Sequence, residues 1–175
     1  MPLIHVMMLF STMAAQVIYD FNKDSKAEDW SIVDDVVMGG RSAGRFSISA
    51  DGFGVFEGAI SLENYGGFSS VRYRFSQMQT KGATKVIIRL KGDGKKYQFR
   101  LKARGSDYYS YIATFSTTGE WQEIIIPLEE MYPAFRGRRL NQANFSEAYI
   151  EEVAFLIGNK KEENFKLLLD KIVLQ

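Results

Sequence analysis

The sequence predicts an all-β fold, a jelly-roll β-sandwich of two antiparallel sheets with at most one or two short helices. Three observations carry that expectation. Several segments alternate apolar and polar residues with period 2, the mark of a strand with one face on a core and one in water. Turn signals separate these segments at spacings of roughly 10–15 residues, as in sandwiches and barrels. Aromatic residues make up 14% of the chain, 13 of them Phe, and such side chains suit half-buried strand surfaces.

Taken along the chain, strands are predicted at Val17–Phe21, Arg45–Ser49 and Val55–Leu62. Val71, Tyr73 and Phe75 then alternate with Ser70, Arg72, Arg74 and Ser76, which assigns the first set to the core. Lys85–Lys91 follows, and next Tyr97, Phe99 and Leu101 alternate with Lys96, Gln98, Arg100 and Lys102. Further strands are predicted at Ser110–Phe115, Trp121–Pro127 and Ile150–Ile157, and at Phe165, Leu167 and Leu169, where Leu168 breaks the alternation. Ser146–Leu156 has helical propensity in Glu147, Ala148, Glu151 and Glu152, but Val153, Phe155 and Ile157 alternate, so its second half reads as strand. Turns are signalled by Ala50-Asp51-Gly52, Tyr65-Gly66-Gly67, Gly92-Asp93-Gly94 and Thr118-Gly119-Glu120, and a short helix is expected at Leu128–Met131. Gly92-Asp93-Gly94, between two alternating runs, reads as a hairpin turn. Trp121, at a strand start, reads as a core residue.

A chain of 175 residues suits one domain with one core, and a hydrophobic share of 46% with 25% charged residues is ordinary globular usage. The formal net charge of +1 argues against nucleic acid as partner. Residues 81–104 nevertheless hold nine Lys/Arg against Asp93 alone, which reads as a solvated sheet face or a surface for an acidic partner. With no Cys and a single His, His5, the chain lacks disulfides, thiolate sites, a His-based triad and a multi-His metal site. No apolar run reaches the ~20 residues of a membrane span. Leu3–Phe10, followed by Ser11, Thr12, Met13, Ala14 and Ala15, resembles the apolar and small-residue parts of a signal peptide, without a Lys/Arg region before it. Residues 1–16 are therefore expected to be a signal-like or disordered segment, 17–175 the domain, and the protein exported or periplasmic rather than cytoplasmic.

Four clusters stand out. The densest is Asp34-Asp35-Val36-Val37-Met38-Gly39-Gly40-Arg41-Ser42, in which two acids, two glycines and an arginine make a tight polar loop. Its bland reading is a capped turn with an internal ion pair. The second is Phe56-Glu57-Gly58 with Gly66-Gly67-Phe68-Ser69-Ser70-Val71-Arg72, the third Gly92-Asp93-Gly94 with Tyr97, and the fourth Trp121, Pro127 and Phe135-Arg136-Gly137-Arg138-Arg139. The arginines of the fourth either clamp an anion or form a solvated loop.

In this order the four clusters resemble the complex I intermediate-associated protein 30 family. That family's Asp-x-Val-Met-Gly-Gly-x-Ser stands here as Asp35–Ser42, its Phe-x-Gly and Gly-Gly-Phe-x-Ser-x-Arg as Phe56, Gly58 and Gly66–Arg72, its Gly-Asp-Gly-x-x-Tyr as Gly92–Tyr97, and its Phe-Arg-Gly-Arg as Phe135–Arg138. The resemblance covers about residues 17–175 and departs before Phe165, where the family often has Gly-Pro and this chain has Glu163-Asn164. It implies a galactose-binding-domain-like sandwich, a fold shared with carbohydrate-binding modules, and a role as an assembly factor for a respiratory complex. On that fold Asp20 and Asp170 take positions where calcium ligands often sit, so a structural calcium is a possible cofactor; no other cofactor is expected.

The expected function is non-catalytic binding of a protein partner, with carbohydrate as the alternative ligand. Sugar binding needs an exposed aromatic platform, for which Tyr108, Tyr109 and Tyr111, or Tyr65 and Phe68, are the candidates. A glycosidase using Asp93, Glu63 or Asp35 is disfavoured because nothing in the sequence sets the separation of two carboxylates. The candidate binding residues are Asp34, Asp35, Met38, Gly39, Gly40, Arg41, Gly67, Phe68, Arg72, Asp93, Arg136 and Arg138, expected to gather into one surface with Arg41, Arg72 and Arg136 as forked donors.

Overall fold

Alternation in the sequence becomes two-sidedness in space. A computed structural model describes residues 14–175 and holds thirteen strands: β1 (Gln16–Asp20), β2 (Trp30–Asp34), β3 (Ala43–Ile48), β4 (Gly54–Ile60), β5 (Ser69–Gln79), β6 (Lys85–Lys91), β7 (Lys96–Lys102), β8 (Ser110–Ser116), β9 (Trp121–Pro127), β10 (Tyr132–Phe135), β11 (Arg138–Arg139), β12 (Tyr149–Ile157) and β13 (Glu163–Leu174). The helical content is single 3-10 turns, one of them at Leu128–Glu130 where the short helix was expected. The signal-like reading of residues 1–16 and His5 lies outside the described residues except at 14–16, and Gln16 already belongs to β1. Among the described residues no helix is long and apolar enough to cross a membrane.

The strands form two antiparallel sheets. One runs β3-β4-β13-β6-β9, with β1 pairing the far end of β13 beyond β4; the other runs β11-β10-β8-β7-β12-β5-β2. Their inner faces meet in one core. Val86, Ile88, Leu90, Leu167, Leu169 and Ile172 come from the first sheet, and Val71, Tyr97, Phe99, Leu101, Val153 and Phe155 from the second, all at most 1% exposed. Tyr73 and Phe75 face the same way but are half-buried, near the edge strand β2. Leu168, which breaks the alternation in the sequence, lies half-buried on the outer face opposite Val55 and Lys91, and a register shift between Leu169 and Lys171 then returns Ile172 and Leu174 to the core face.

Several expectations need correcting. Gly92-Asp93-Gly94 is no hairpin turn, because β6 and β7 lie in different sheets. It carries the chain across the sandwich, and Asp93 fastens the crossing by accepting from Tyr97 Oη at 2.9 Å and from the Lys166 N–H at 2.9 Å, one group from each sheet. Burial, reinforced by the Asp93 charge, pushes the Tyr97 hydroxyl far above the usual phenol range. Trp121 is no core residue: it pairs with Lys91 on the outward face, packed against Phe53 at 4.6 Å with Arg89 over its ring at 5.1 Å. The basic run 81–104 divides between β6 and β7 and so between the outward faces of two sheets. Strands β2, β10 and β11 had no counterpart in the sequence reading.

Candidate functional site

Asp35 opens a 3-10 turn, Asp35–Met38, directly after β2, and its side chain is 0% exposed. Its carboxylate accepts from Ser42 N–H at 2.9 Å, Ser42 Oγ at 2.5 Å, Gly67 N–H at 2.6 Å and Phe68 N–H at 3.3 Å. Gly40 and Gly66 have no choice of residue type, since a Cβ at either would overlap this carboxyl group. Burial pushes the Asp35 carboxyl up, but the Ser42, Gly67 and Phe68 donors outweigh it and hold the group below the usual carboxylate range. Asp34 accepts from Gly44 N–H at 2.9 Å and from Ser69 Oγ at 2.5 Å. The two acids thus point to different partners and together tie the loop after β2 to β3 and to the start of β5. The expected internal ion pair with Arg41 is absent: Arg41 pairs with Glu63 at 3.0 Å, both exposed.

This knot holds out an apolar rim. Val36 is 60% exposed, Val37 74%, Met38 54% and Leu62 41%, and Tyr65 is fully exposed. Tyr65 and Asn64 are held at positive φ, 60° and 54°, so the rim sits on a constrained backbone. Of these residues the sequence singles out Met38 as a binding candidate and Tyr65 as part of an aromatic platform; Val36, Val37 and Leu62 look like ordinary core residues until the fold turns them outward.

A second feature lies on the outward face of the seven-stranded sheet. Register places Tyr132, Ile112, Arg100, Ala154, Arg72 and Ser31 in one row across β10, β8, β7, β12, β5 and β2. Beside that row, Glu152 lies opposite both Lys102 and Arg74 and pairs with Arg74 at 2.6 Å. Gln98 Oε1 accepts from Arg100 Nε at 3.0 Å and from Nη2 at 2.6 Å. Arg72, a sequence candidate, is here; Arg100 and Gln98 escaped notice because each is one more polar residue in an alternating strand.

The remaining candidates lie elsewhere. Arg136-Gly137 is the two-residue turn between β10 and β11, with φ of 48° and 75°, the pattern of a primed hairpin turn, which explains the glycine. Arg136 lies over the Phe135 ring at 5.3 Å, and Arg138 is exposed. β11 and β2 are opposite edges of the sheet, six inter-strand steps or about 29 Å apart. The structure therefore joins Asp34–Ser42 to Gly66–Arg72 and leaves Arg136–Arg138 on a separate edge, so the expected single surface is two. Asp93 belongs to the sheet crossing. Asp20 pairs with Lys171 at 3.3 Å and Asp170 with Arg89 at 3.1 Å, so a cation between them would displace both bases. Among the described residues no group of three or more His, Cys, Asp or Glu is placed to hold a metal ion.

Of the aromatic platforms, Tyr111 is turned inward onto Phe145 and is 5% exposed. Tyr108 and Phe135 are exposed, in edge-to-face contact at 5.2 Å beside the β10–β11 turn. A cleft between Thr80, Lys85, Pro127 and Phe145 includes none of the candidate binding residues, and of the four clusters only Pro127 lines it.

Comparison with known proteins adds three findings. The family model for Complex I intermediate-associated protein 30 matches residues 19–169. The mitochondrial Complex I intermediate-associated protein 30 of Drosophila melanogaster is 22% identical over 153 residues, 75% of this chain and 52% of that protein, so the chain spans about half the length of this curated relative. In structure the chain is similar to the family 11 carbohydrate-binding module of a cellulosomal cellulase from Clostridium thermocellum, with a TM-score of 0.71 at 13% identity over 94% of this chain and 95% of that one. A Clostridium thermocellum family 11 module in complex with a β-1,3-1,4-mixed-linked tetrasaccharide gives 0.69 at 13% identity, over 91% of this chain and 94% of that one. At such identity the likeness is one of fold.

Proposed function

The chain belongs to the complex I intermediate-associated protein 30 family, and from that premise we propose that it is a non-catalytic domain that binds a protein partner, in the manner of an assembly factor for a respiratory-type complex. The observation that carries the reading is the apolar rim of Val36, Val37, Met38, Leu62 and Tyr65 around the Asp35 knot. Large exposed apolar side chains grouped on one rim mark interaction sites. A rim on a constrained backbone also loses little conformational entropy on docking. The motif's carboxylates support a binding role, because Asp34 and Asp35 are engaged by internal donors and Asp35 is closed to solvent. Export remains part of the proposal, on the signal-like Leu3–Ala15.

The test is recovery of partners on the tagged protein from its native cells, compared with a Val37→Glu variant. Val37 is 74% exposed, so the variant is expected to keep its melting temperature and lose its partners. Undiminished recovery by Val37→Glu would remove the rim from the reading.

A carbohydrate-binding reading is favoured by one observation, the exposed rings of Tyr108 and Phe135. If it holds, a mixed-linked β-glucan oligosaccharide binds in calorimetry and Phe135→Ala abolishes binding. No heat of binding with that sugar counts against this second reading.

A further inference from the structure

We propose that the outward face of the seven-stranded sheet, centred on Arg72 and Arg100, is a carboxylate site that takes an acidic segment of a protein partner; this rests on the reading of the chain as a protein-binding domain. The two arginines stand in one row, two strands apart, with the small Ala154 between them. Their Cα atoms are thus about 10 Å apart, within which two long side chains converge over a residue too small to separate them. Among the described residues neither has a carboxylate partner. Glu152, the acid beside them, is held by Arg74, and Lys102 Nζ donates to the Asp107 carbonyl at 2.6 Å.

The donors are also incompletely satisfied. Arg72 Nε is buried and has no hydrogen-bond partner. An unpaired buried N–H carries a desolvation cost that an acceptor oxygen reaching it would relieve. Arg100 is oriented by Gln98, whose amide oxygen takes Nε and Nη2 and leaves Nη1 free of any hydrogen bond among the described residues. Burial, and then the nearby positive charge of Arg72, push the Arg100 guanidinium down to about 10 against the opposing influence of Tyr132, so it is still a cation at neutral pH. Two forked cations held side by side without a counter-ion match the planar, two-oxygen acceptor of Asp and Glu.

Peptide is favoured over sugar on this face by what flanks the pair. Ile112 and Leu156 are 3% and 8% exposed, and the one ring in the row, Tyr132, is covered by Arg139 at 4.8 Å. No bare aromatic plane lies along the row for a pyranose ring to stack on.

The test follows the arginine Nε–Hε signals by NMR in the intact protein during titration with capped tetraglutamate. Capped tetraglutamine, tri-galacturonate and inorganic phosphate are the comparisons. The expected result is saturable movement of the Arg72 and Arg100 signals with tetraglutamate and none with tetraglutamine. Arg100→Gln is expected to weaken tetraglutamate binding about tenfold or more, the loss of one charge-assisted pair, while Arg89→Gln on the other sheet leaves it unchanged. Where Arg100→Gln loses its native amide spectrum, Arg72→Lys, which keeps the charge without the fork, carries the same expectation. Unmoved Arg72 and Arg100 signals overturn the site, and equal or tighter binding of phosphate or tri-galacturonate overturns the acidic-peptide assignment. In partner recovery, retention by Arg100→Gln together with loss by Val37→Glu sinks this inference alone; recovery of no partner by the unmodified protein sinks the protein-binding reading as well.

Discussion

Asp35 shows what a motif acid can be for when it is not for chemistry. Its carboxylate accepts from Ser42, Gly67 and Phe68, and none of its surface reaches water. Asp35→Asn would present N–H donors to N–H donors and is expected to destabilise the domain by about 2–4 kcal/mol at pH 7. For a domain of this size that lowers the melting temperature by on the order of 5–12 °C. The folded carboxyl sits below its ordinary value of 3.8, so its contribution is complete above that value and is lost as pH falls through the lower folded one. Thermal melts of both proteins from neutral to strongly acidic pH are therefore expected to converge only below the ordinary carboxylate range. A gap that stays constant into strong acid would show that Asp35 acts through packing and not through its charge.

At the scale of elements, the Phe135-Arg136-Gly137-Arg138 cluster, which suggested an anion clamp, is a hairpin that continues the seven-stranded sheet beyond β8. Its turn needs positive φ at both central residues, and Gly137 supplies the second at 75° with no neighbour crowding it. Gly137→Ala is expected to cost about 1–2 kcal/mol, the penalty of a Cβ in the left-handed region. Denaturant midpoints measure the loss, and faster amide exchange confined to β10 and β11 would locate it. An unchanged midpoint would mean that the hairpin contributes little to the stability of the sheet.

At the scale of the molecule, β13 is the strand on which its sheet depends. It pairs with β4 and β1 along one edge and with β6 along the other, and it buries Phe165, Leu167, Leu169, Ile172 and Leu174. A chain ending at Glu162 loses that strand and leaves β4, β1 and β6 without their shared neighbour. It is expected to show no cooperative unfolding transition and no near-ultraviolet circular dichroism from packed aromatics, and a cooperative melt from that fragment would contradict the assigned role of β13.

The sequence by itself determined the sandwich and most of its strands, because alternation is a local property. Val86, Ile88 and Leu90, or Tyr97, Phe99 and Leu101, lie on the core face whichever strands flank them. It also located the Asp34–Ser42 and Gly66–Arg72 clusters, since their glycines and acids are unusual neighbours. Three things only the tertiary structure decided. Strand order set β6 and β7 in different sheets, so that Gly92-Asp93-Gly94 became a crossing and the basic run became two faces. Cross-strand register brought Arg100 beside Arg72, 28 positions away in the chain, which no local pattern encodes. The Asp35 knot turned Val36, Val37 and Leu62 into solvent, because satisfying a buried carboxylate fixes the backbone and leaves those side chains no core to reach.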